Sequence, residues 1–230
     1  MKIFSFSLWG NNKIYTEGCI KNVALIRKYL PDWHTYIFAS ESVDKTILNR
    51  LLDFNNVHLI ECPFIEPTDC KGMFWRFAPI SDQKFDYIAI RDTDSRISPR
   101  EVHAMLEWLD SGADIHIMRD HPYHNAPIMG GMWGIKGGKY QLIKNDIVDF
   151  KPTSKKGQDQ EFLKHYLYSK VEKGELRAKV HDPFFEGIPF PTQSKRGKEN
   201  NGIDFIGQCF MPNDTPNSLH DRNILYSSIR

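Results

Sequence analysis

Two aspartates separated by one residue stand in Tyr87-Ile88-Ala89-Ile90-Arg91-Asp92-Thr93-Asp94-Ser95-Arg96, directly after a short apolar run. A strand ending there lets the following turn aim both carboxylates at one point on the sheet's carboxyl edge. Such a pair is a hard-oxygen donor set suited to Mg²⁺ or Mn²⁺, cations that keep several waters and share their coordination with substrate phosphates. Aspartate is also common in turns, so an isolated D-x-D is more often a solvated turn before a helix. Here the pair follows a hydrophobic strand in mid-chain, and Arg91 and Arg96 flank it. Charge is thereby gathered at the edge where α/β sheets bind ligands.

The elements that must position this pair follow from periodicity. Short or alternating apolar runs at residues 2–9, 34–39, 57–61, 86–91, 114–118 and 132–135 predict strands. Helical patterns lie between most of them. Residues 16–29 bring Ile20, Val23, Ala24 and Ile26 near one face before Pro31 stops the helix. Residues 98–110 carry Ser98 as cap, Pro99 at the first helical position and Glu101 completing an S-x-x-E box, with Val102, Met105, Leu106 and Leu109 as the buried stripe. Further helices are expected over 71–79 and 157–172, the latter with Phe162, Leu163, Tyr166 and Leu167 at core spacing. Strands alternating with helices of this length predict an α/β layer structure with a largely parallel sheet.

Composition narrows the function classes. The 230 residues hold 40% apolar side chains, enough for one large core. Thirty Lys and Arg against 29 Asp and Glu leave a net charge of +1, so no global basic field draws the chain to nucleic acid or an anionic membrane. Aliphatic runs reach only about four residues, as in Val23-Ala24-Leu25-Ile26, where a membrane helix needs roughly 20. The four cysteines, Cys19, Cys62, Cys70 and Cys209, have no C-x-x-C spacing, which argues against a structural zinc site or a disulfide framework and points to a reducing cytoplasm. Residues 182–230 contain five prolines and no sustained period, so an ordered, irregular arm covering the site is expected.

With these elements in order, the chain resembles nucleotide-sugar-dependent glycosyltransferases of the GT-A fold, and within them a small single-domain subgroup. The resemblance runs over about residues 1–210, leaving 211–230 as a C-terminal arm. Beyond the D-x-D it rests on Met73-Phe74-Trp75-Arg76-Phe77, Met118-Arg119-Asp120-His121-Pro122, Gly130-Gly131-Met132-Trp133-Gly134 and Phe205-Ile206-Gly207-Gln208. It implies a Rossmann-like, mixed but mostly parallel sheet flanked by helices. It also implies metal-dependent transfer of a sugar from a nucleoside diphosphate, UDP above others, to a hydroxyl of a glycan or lipid-linked glycan.

The resemblance assigns roles residue by residue. Asp94 is the direct metal ligand, and Asp92 contacts the ribose or the metal's water shell. The nucleotide base lies at the end of the first strand, where Trp9 either stacks on it or closes the core. Arg76 neutralises phosphate or holds Asp92; alternatively its stem only covers Trp75 and Phe77. Gly130 and Gly131, with Trp133, border the donor sugar, or the glycines merely make a turn. Asp159, at the start of a helix, is in the position of the catalytic carboxylate of inverting enzymes, though it also suits the helix dipole. Asp120 is the rival, placed to hold hydroxyls. His181 is expected as the third metal ligand ahead of His220, because His181 follows a probable strand while His220 lies in the arm beyond two prolines. Lys195 and Arg196 either fold over the diphosphate or form a solvated charge run. Two other readings remain at this stage, a phosphotransferase of the haloacid-dehalogenase type and a non-catalytic sugar-nucleotide binding module. The former wants Thr or Val where this chain has Arg96, and its motif usually lies near the N-terminus.

Overall fold

The computed structural model describes residues 1–192 and 205–227. Seven strands form one sheet: β1 (Lys2–Leu8), β2 (Trp33–Ser40), β3 (Val57–Cys62), β4 (Tyr87–Arg91), β5 (Ile115–Met118), β6 (Met132–Lys136) and β7 (Ala178–His181). Their order is β3-β2-β1-β4-β6-β5-β7. All pairs are parallel except those of β6, which runs antiparallel to β4 and β5. The chain reaches β6 from β5 through a loop without a helix, so no crossover returns it to the same edge. Consequently the amino end of β6, with Gly130 and Gly131 before it, meets the carboxyl end of β4.

Helices α1 (Lys13–Tyr29), α2 (Lys45–Leu52), α3 (Pro99–Ser111) and α4 (Ile143–Phe150) flank the sheet, with a 3₁₀ helix at Cys70–Ser81. The expected helix 157–172 is three segments: α5 (Gln158–Phe162), a π-helical stretch (Leu163–Tyr168) and α6 (Ser169–Glu172). A last helix, α7 (Leu219–Ser227), lies where only irregular chain was expected. Periodicity also missed α2 and α4, each of eight residues and too short for a sustained pattern.

The alternation in β1 sorts its residues onto two layers. Ile3 packs with Phe74, Phe77 and Ile80 of the 3₁₀ helix, while Phe4 and Phe6 pack with Ile26, Val102 and Met105 of α1 and α3. In β4, Ile88 and Ile90 share the first face and Ala89 the second. Ser5 and Ser7 fall on the face of the 3₁₀ helix, and both are buried. Ser5 Oγ donates to the Arg76 carbonyl at 2.7 Å, and Ser7 Oγ accepts from the Arg76 N–H at 3.0 Å. Two small polar residues in a strand otherwise made of large apolar ones thus fix one arginine's backbone.

Two stripe assignments differ from expectation. Ala24 is exposed and Asn22 is fully buried on α1; on α3, Leu106 is exposed and Trp108 buried. Ser98 caps α3 by accepting from the Glu101 N–H at 3.3 Å, but the Glu101 carboxylate turns to Arg91 instead of back to the cap. Asn22 explains its own burial. Its Nδ2 donates to the Thr93 and Ser95 carbonyls at 3.3 and 2.9 Å, and its Oδ1 accepts from the Ile97 N–H at 3.0 Å. The D-x-D turn is therefore held by a side chain from α1. Asn22→Ala takes the side-chain partner from the Thr93 carbonyl and the Ile97 N–H, while the Ser95 carbonyl keeps Arg96 at 2.8 Å. It is expected to cost about 2 kcal/mol, read as a lower urea midpoint with unchanged slope. A loss below about 0.5 kcal/mol, the ordinary scatter of a neutral surface change, would show that water replaces the amide.

Candidate active site

At the carboxyl ends of β1 and β4 the chain opens into a cleft of about 740 Å³, within the range of small-molecule sites. Asp92, Asp94, Arg76, Asp159, Gly130, Gly131 and Trp9 all line it. Arg76 is the centre of the group. Its side chain is 3% exposed, and the guanidinium pairs with Asp92 through Nη1 and with Asp159 through Nη2 at 2.8 Å and leaves its Nε without a partner. Of the readings open in the sequence, Arg76 therefore holds Asp92, and it holds Asp159 as well. Desolvation raises the Asp159 carboxyl above its ordinary range, opposed by the Arg76 charge.

The glycines serve the carboxylates by close approach. A Cβ on Gly130 would lie 2.1 Å from Asp159 Oδ2, and one on Gly131 would lie 2.1 Å from Asp92 Oδ2. No side chain fits at either position while those carboxylates keep their places. Trp133 does not border the cleft. It is fully buried, packs on Phe77 and donates its indole N–H to the Gly130 carbonyl at 3.2 Å, so its contribution is to fix the glycine loop from behind.

Asp94 is part-buried, and burial together with the neighbouring Asp92 charge pushes its carboxyl up to about 6. Its Oδ2 accepts from the Cys209 thiol at 3.4 Å, and its carbonyl accepts from the Phe210 N–H at 2.9 Å. The C-terminal segment therefore crosses directly over the D-x-D. Asp214 anchors that segment by accepting from Arg96 Nε at 3.0 Å and Lys21 Nζ at 2.5 Å. Neither arginine beside the motif is offered to a ligand: Arg96 ties down the strap, and Arg91 is buried in an ion pair with Glu101. All four cysteines are free thiols.

Two further expected site residues, His181 and Asp120, are committed elsewhere. His181 is fully buried and does not line the cleft; its Nδ1 meets His116 at 2.7 Å and its Nε2 meets Glu107 at 2.6 Å. Both ring nitrogens are occupied, so it is not available as a metal ligand. Asp120 is fully buried, its carboxylate taken by the fork of Arg100 at 2.8 Å on each oxygen and by the Ile206 N–H at 3.1 Å. It is closed off from substrate and instead joins the 119–124 loop to the C-terminal segment. Lys195 and Arg196 lie outside the described residues. His220 stands in α7, exposed, with Nε2 3.4 Å from the Tyr123 hydroxyl. Tyr15, His121, Tyr123, His124, Lys156 and Asp221 also line the cleft, and none was singled out from sequence.

Among the described residues no three of His, Cys, Asp and Glu converge to hold a metal ion. The charge balance nevertheless fits a dication. Among the described residues, four carboxylates, Asp92, Asp94, Asp159 and Asp221, line the cleft against two cations, Arg76 and Lys156, leaving two negative charges in excess with histidines counted as neutral. Such an ion would draw on Asp92 and Asp94 and complete its shell with water and substrate phosphate.

The raised Asp94 carboxyl yields a signed prediction. A folded-state value of about 6 against an ordinary 3.8 means that the charged form is penalised in the fold. The penalty is full above about pH 6 and absent below the ordinary value. In metal-free protein Asp94→Asn should therefore raise the melting temperature at pH 8, with the gain fading toward pH 4. A variant less stable than wild type at pH 8 would show that the ionised carboxylate is held by unseen partners.

No family model matches the chain, and no curated protein matches it. Solved structures do. A glycosyltransferase involved in glycosylation of the major capsid of PBCV-1 is 15% identical, with 80% of this chain and 82% of that chain covered and a TM-score of 0.47. Residues 1–349 of S. aureus TarS are 14% identical, with 80% and 58% covered and a TM-score of 0.49. The mannosyltransferase PcManGT from Pyrobaculum calidifontis, solved with GDP-Man and Mn²⁺, is 11% identical, with 80% and 55% covered and a TM-score of 0.51. The chain thus spans little more than half the length of the last two. At these identities the likeness is one of fold: a mixed, mostly parallel sheet flanked by helices, shared with the mannosyltransferase.

Proposed function

We propose that this chain is a metal-dependent glycosyltransferase of the GT-A type that moves a sugar from a nucleoside diphosphate, UDP by first choice, to a hydroxyl of a glycan. One observation carries the reading: the D-x-D carboxylates, Arg76 and Asp159 face one cleft at the carboxyl edge of β4, whose described lining carries two negative charges in excess. A diphosphate adds negative charge to that lining, so a bound cation favours its entry. When bound, Mn²⁺ or Mg²⁺ supplies Lewis-acid stabilisation of the departing diphosphate. The mannosyltransferase that shares the fold was solved with GDP-Man and Mn²⁺, which supports a nucleotide-sugar donor.

In the reaction the acceptor oxygen forms a bond to the anomeric carbon while the bond from that carbon to the diphosphate oxygen breaks. The electron pair of the broken bond leaves with the nucleoside diphosphate, and the hydroxyl proton passes to a carboxylate. Asp159 is that carboxylate in this reading, for it lines the cleft and desolvation raises its basicity. Arg76 fixes its position and that of Asp92, so the base and the metal-binding turn keep a constant separation. Trp9, half-buried with its indole N–H on the Pro67 carbonyl at 3.2 Å, walls the base end of the cleft. The haloacid-dehalogenase reading wants its motif aspartate as a free nucleophile, whereas Asp92 is paired to Arg76. Among the described residues no helix is long and apolar enough to cross a membrane.

Calorimetric titration should give UDP binding with Mn²⁺ and none with EDTA, and Asp94→Asn should lose the metal-supported binding. Equal affinity with and without metal would remove the D-x-D assignment. Asp159→Asn should keep UDP binding and lower transfer by about 10² or more, the scale of general-base catalysis. Unchanged turnover in that variant would take the base role away from Asp159.

A further inference from the structure

The two ends of the cleft are built differently. At β1 stand Trp9, Asn12 and Tyr15; beyond β5 stand His121, Tyr123 and His124, joined by Phe205 and Asp221 of the C-terminal segment. In the sheet β1 and β5 are three places apart, about 14 Å at roughly 4.8 Å per strand. The D-x-D lies at the end of β4, between them. A donor seated on the D-x-D with its base toward β1 leaves the β5 end for a second molecule.

The groups at that end are specific in what they offer. His121 uses both ring nitrogens on backbone, Nδ1 accepting from the Tyr123 N–H at 3.0 Å and Nε2 donating to the Asp221 carbonyl at 2.9 Å. Only its ring remains, and it packs 4.6 Å from the Phe205 ring. Tyr123 lies at the rim, 52% exposed, with its ring 5.2 Å from His121. His124 is 8% exposed, and its Nδ1 accepts from the Asp120 N–H at 3.1 Å, which puts the ring's proton on Nε2. That N–H has no partner among the described residues. Burial pushes the His124 pKa down to about 3, so the ring is neutral near pH 7. The residue is nine-tenths buried while its Nε2 is not one of the sealed, unpaired atoms, so the N–H faces the cleft that His124 lines and can meet a ligand's oxygen.

We infer that this end is the acceptor subsite and that it takes an uncharged pyranose. The sugar's C–H face lies on Tyr123, and its hydroxyls bond to His124 Nε2–H and to the Asp221 carboxylate. An aromatic face with one neutral donor and one carboxylate matches a sugar's alternating C–H and O–H surface. A phosphorylated acceptor would meet the Asp221 charge at an end whose described lining contains neither Lys nor Arg. The inference rests on the glycosyl-transfer reading and deepens it by naming the class of acceptor.

Saturation-transfer NMR on the full chain loaded with UDP and Mg²⁺ tests it, using the methyl glycosides of glucose, galactose, mannose and N-acetylglucosamine, and glucose 6-phosphate. At least one neutral glycoside should receive saturation at its ring protons, and glucose 6-phosphate should not. Tyr123→Ala and Asp221→Asn should each weaken the glycoside by about tenfold, the scale of one lost contact or charged hydrogen bond. UDP signals should stay unchanged in Tyr123→Ala, whose side chain carries no charge. Both residues are exposed or half-exposed, so these variants keep the fold. Three outcomes overturn the inference: no glycoside responding while UDP does, binding that survives both variants, or glucose 6-phosphate binding as well as the neutral sugars. Failure of UDP itself to bind is a separate result, and it would sink the glycosyl-transfer reading and this inference with it.

Discussion

A single buried guanidinium holds the site together. Removing an arginine from water is costly, and that cost is offset only where carboxylates and hydrogen bonds surround it. Arg76 meets this condition by bridging Asp92 and Asp159, residues that come from different layers of the fold. Its own backbone is clamped by Ser5 and Ser7 of β1, so the arginine cannot drift toward either partner. Everything near it follows from this constraint. Gly130 and Gly131 must lack side chains because the paired carboxylates fill the space, and Trp133 must stay buried because it pins the Gly130 carbonyl.

A second set of contacts places Asp94. Asn22 grips the turn from below, and the C-terminal segment lies over it through Cys209 and Phe210. The result is a buried carboxylate pressed against another, with no ion pair of its own among the described residues; burial first and the Asp92 charge second raise its pKa. A fold that keeps such a group carries a standing electrostatic cost, and such costs gather at functional sites. Here the compensating charge is one that a nucleotide and its cation would bring together. Arg96 and Arg91, the charges nearest in sequence, do not supply it, since each is committed to a structural carboxylate.

Much of this was legible in the sequence, for physical reasons that can be named. Six strands and the D-x-D's place after β4 follow from local period and sterics, which a single chain displays directly. Arg76, Asp159 and the glycine pair stood out because of their residue types and the motif resemblance. What stayed hidden depends on long-range pairing. His181 follows a strand, as expected, but its ring nitrogens are claimed by His116 and Glu107, neighbours set by sheet order and by α3. Asp120 looked like an active carboxylate until Arg100 and Ile206 enclosed it. Ser5, Ser7 and Asn22 did leave a signal, polar residues at buried-face spacing, and such residues mark places where the core grips something. The β5 end of the cleft, by contrast, joins the 119–124 loop to residues far along the chain; the stretches 118–122 and 205–208 stand out in the sequence, but nothing local shows that His121 and Phe205 meet.

The central claim is that this cleft performs chemistry on a sugar nucleotide through a cation held at Asp92 and Asp94. Phosphorus NMR of the protein incubated with UDP-glucose, UDP-N-acetylglucosamine and GDP-mannose in the presence of Mg²⁺ tests it most directly, because transferases leak sugar to water without their acceptor. The account predicts the appearance of free nucleoside diphosphate from at least one donor, stopped by EDTA and restored by fresh metal. Binding of the donors with no release would contradict it and leave a binding module, and release that EDTA does not stop would show that the two carboxylates act without a cation.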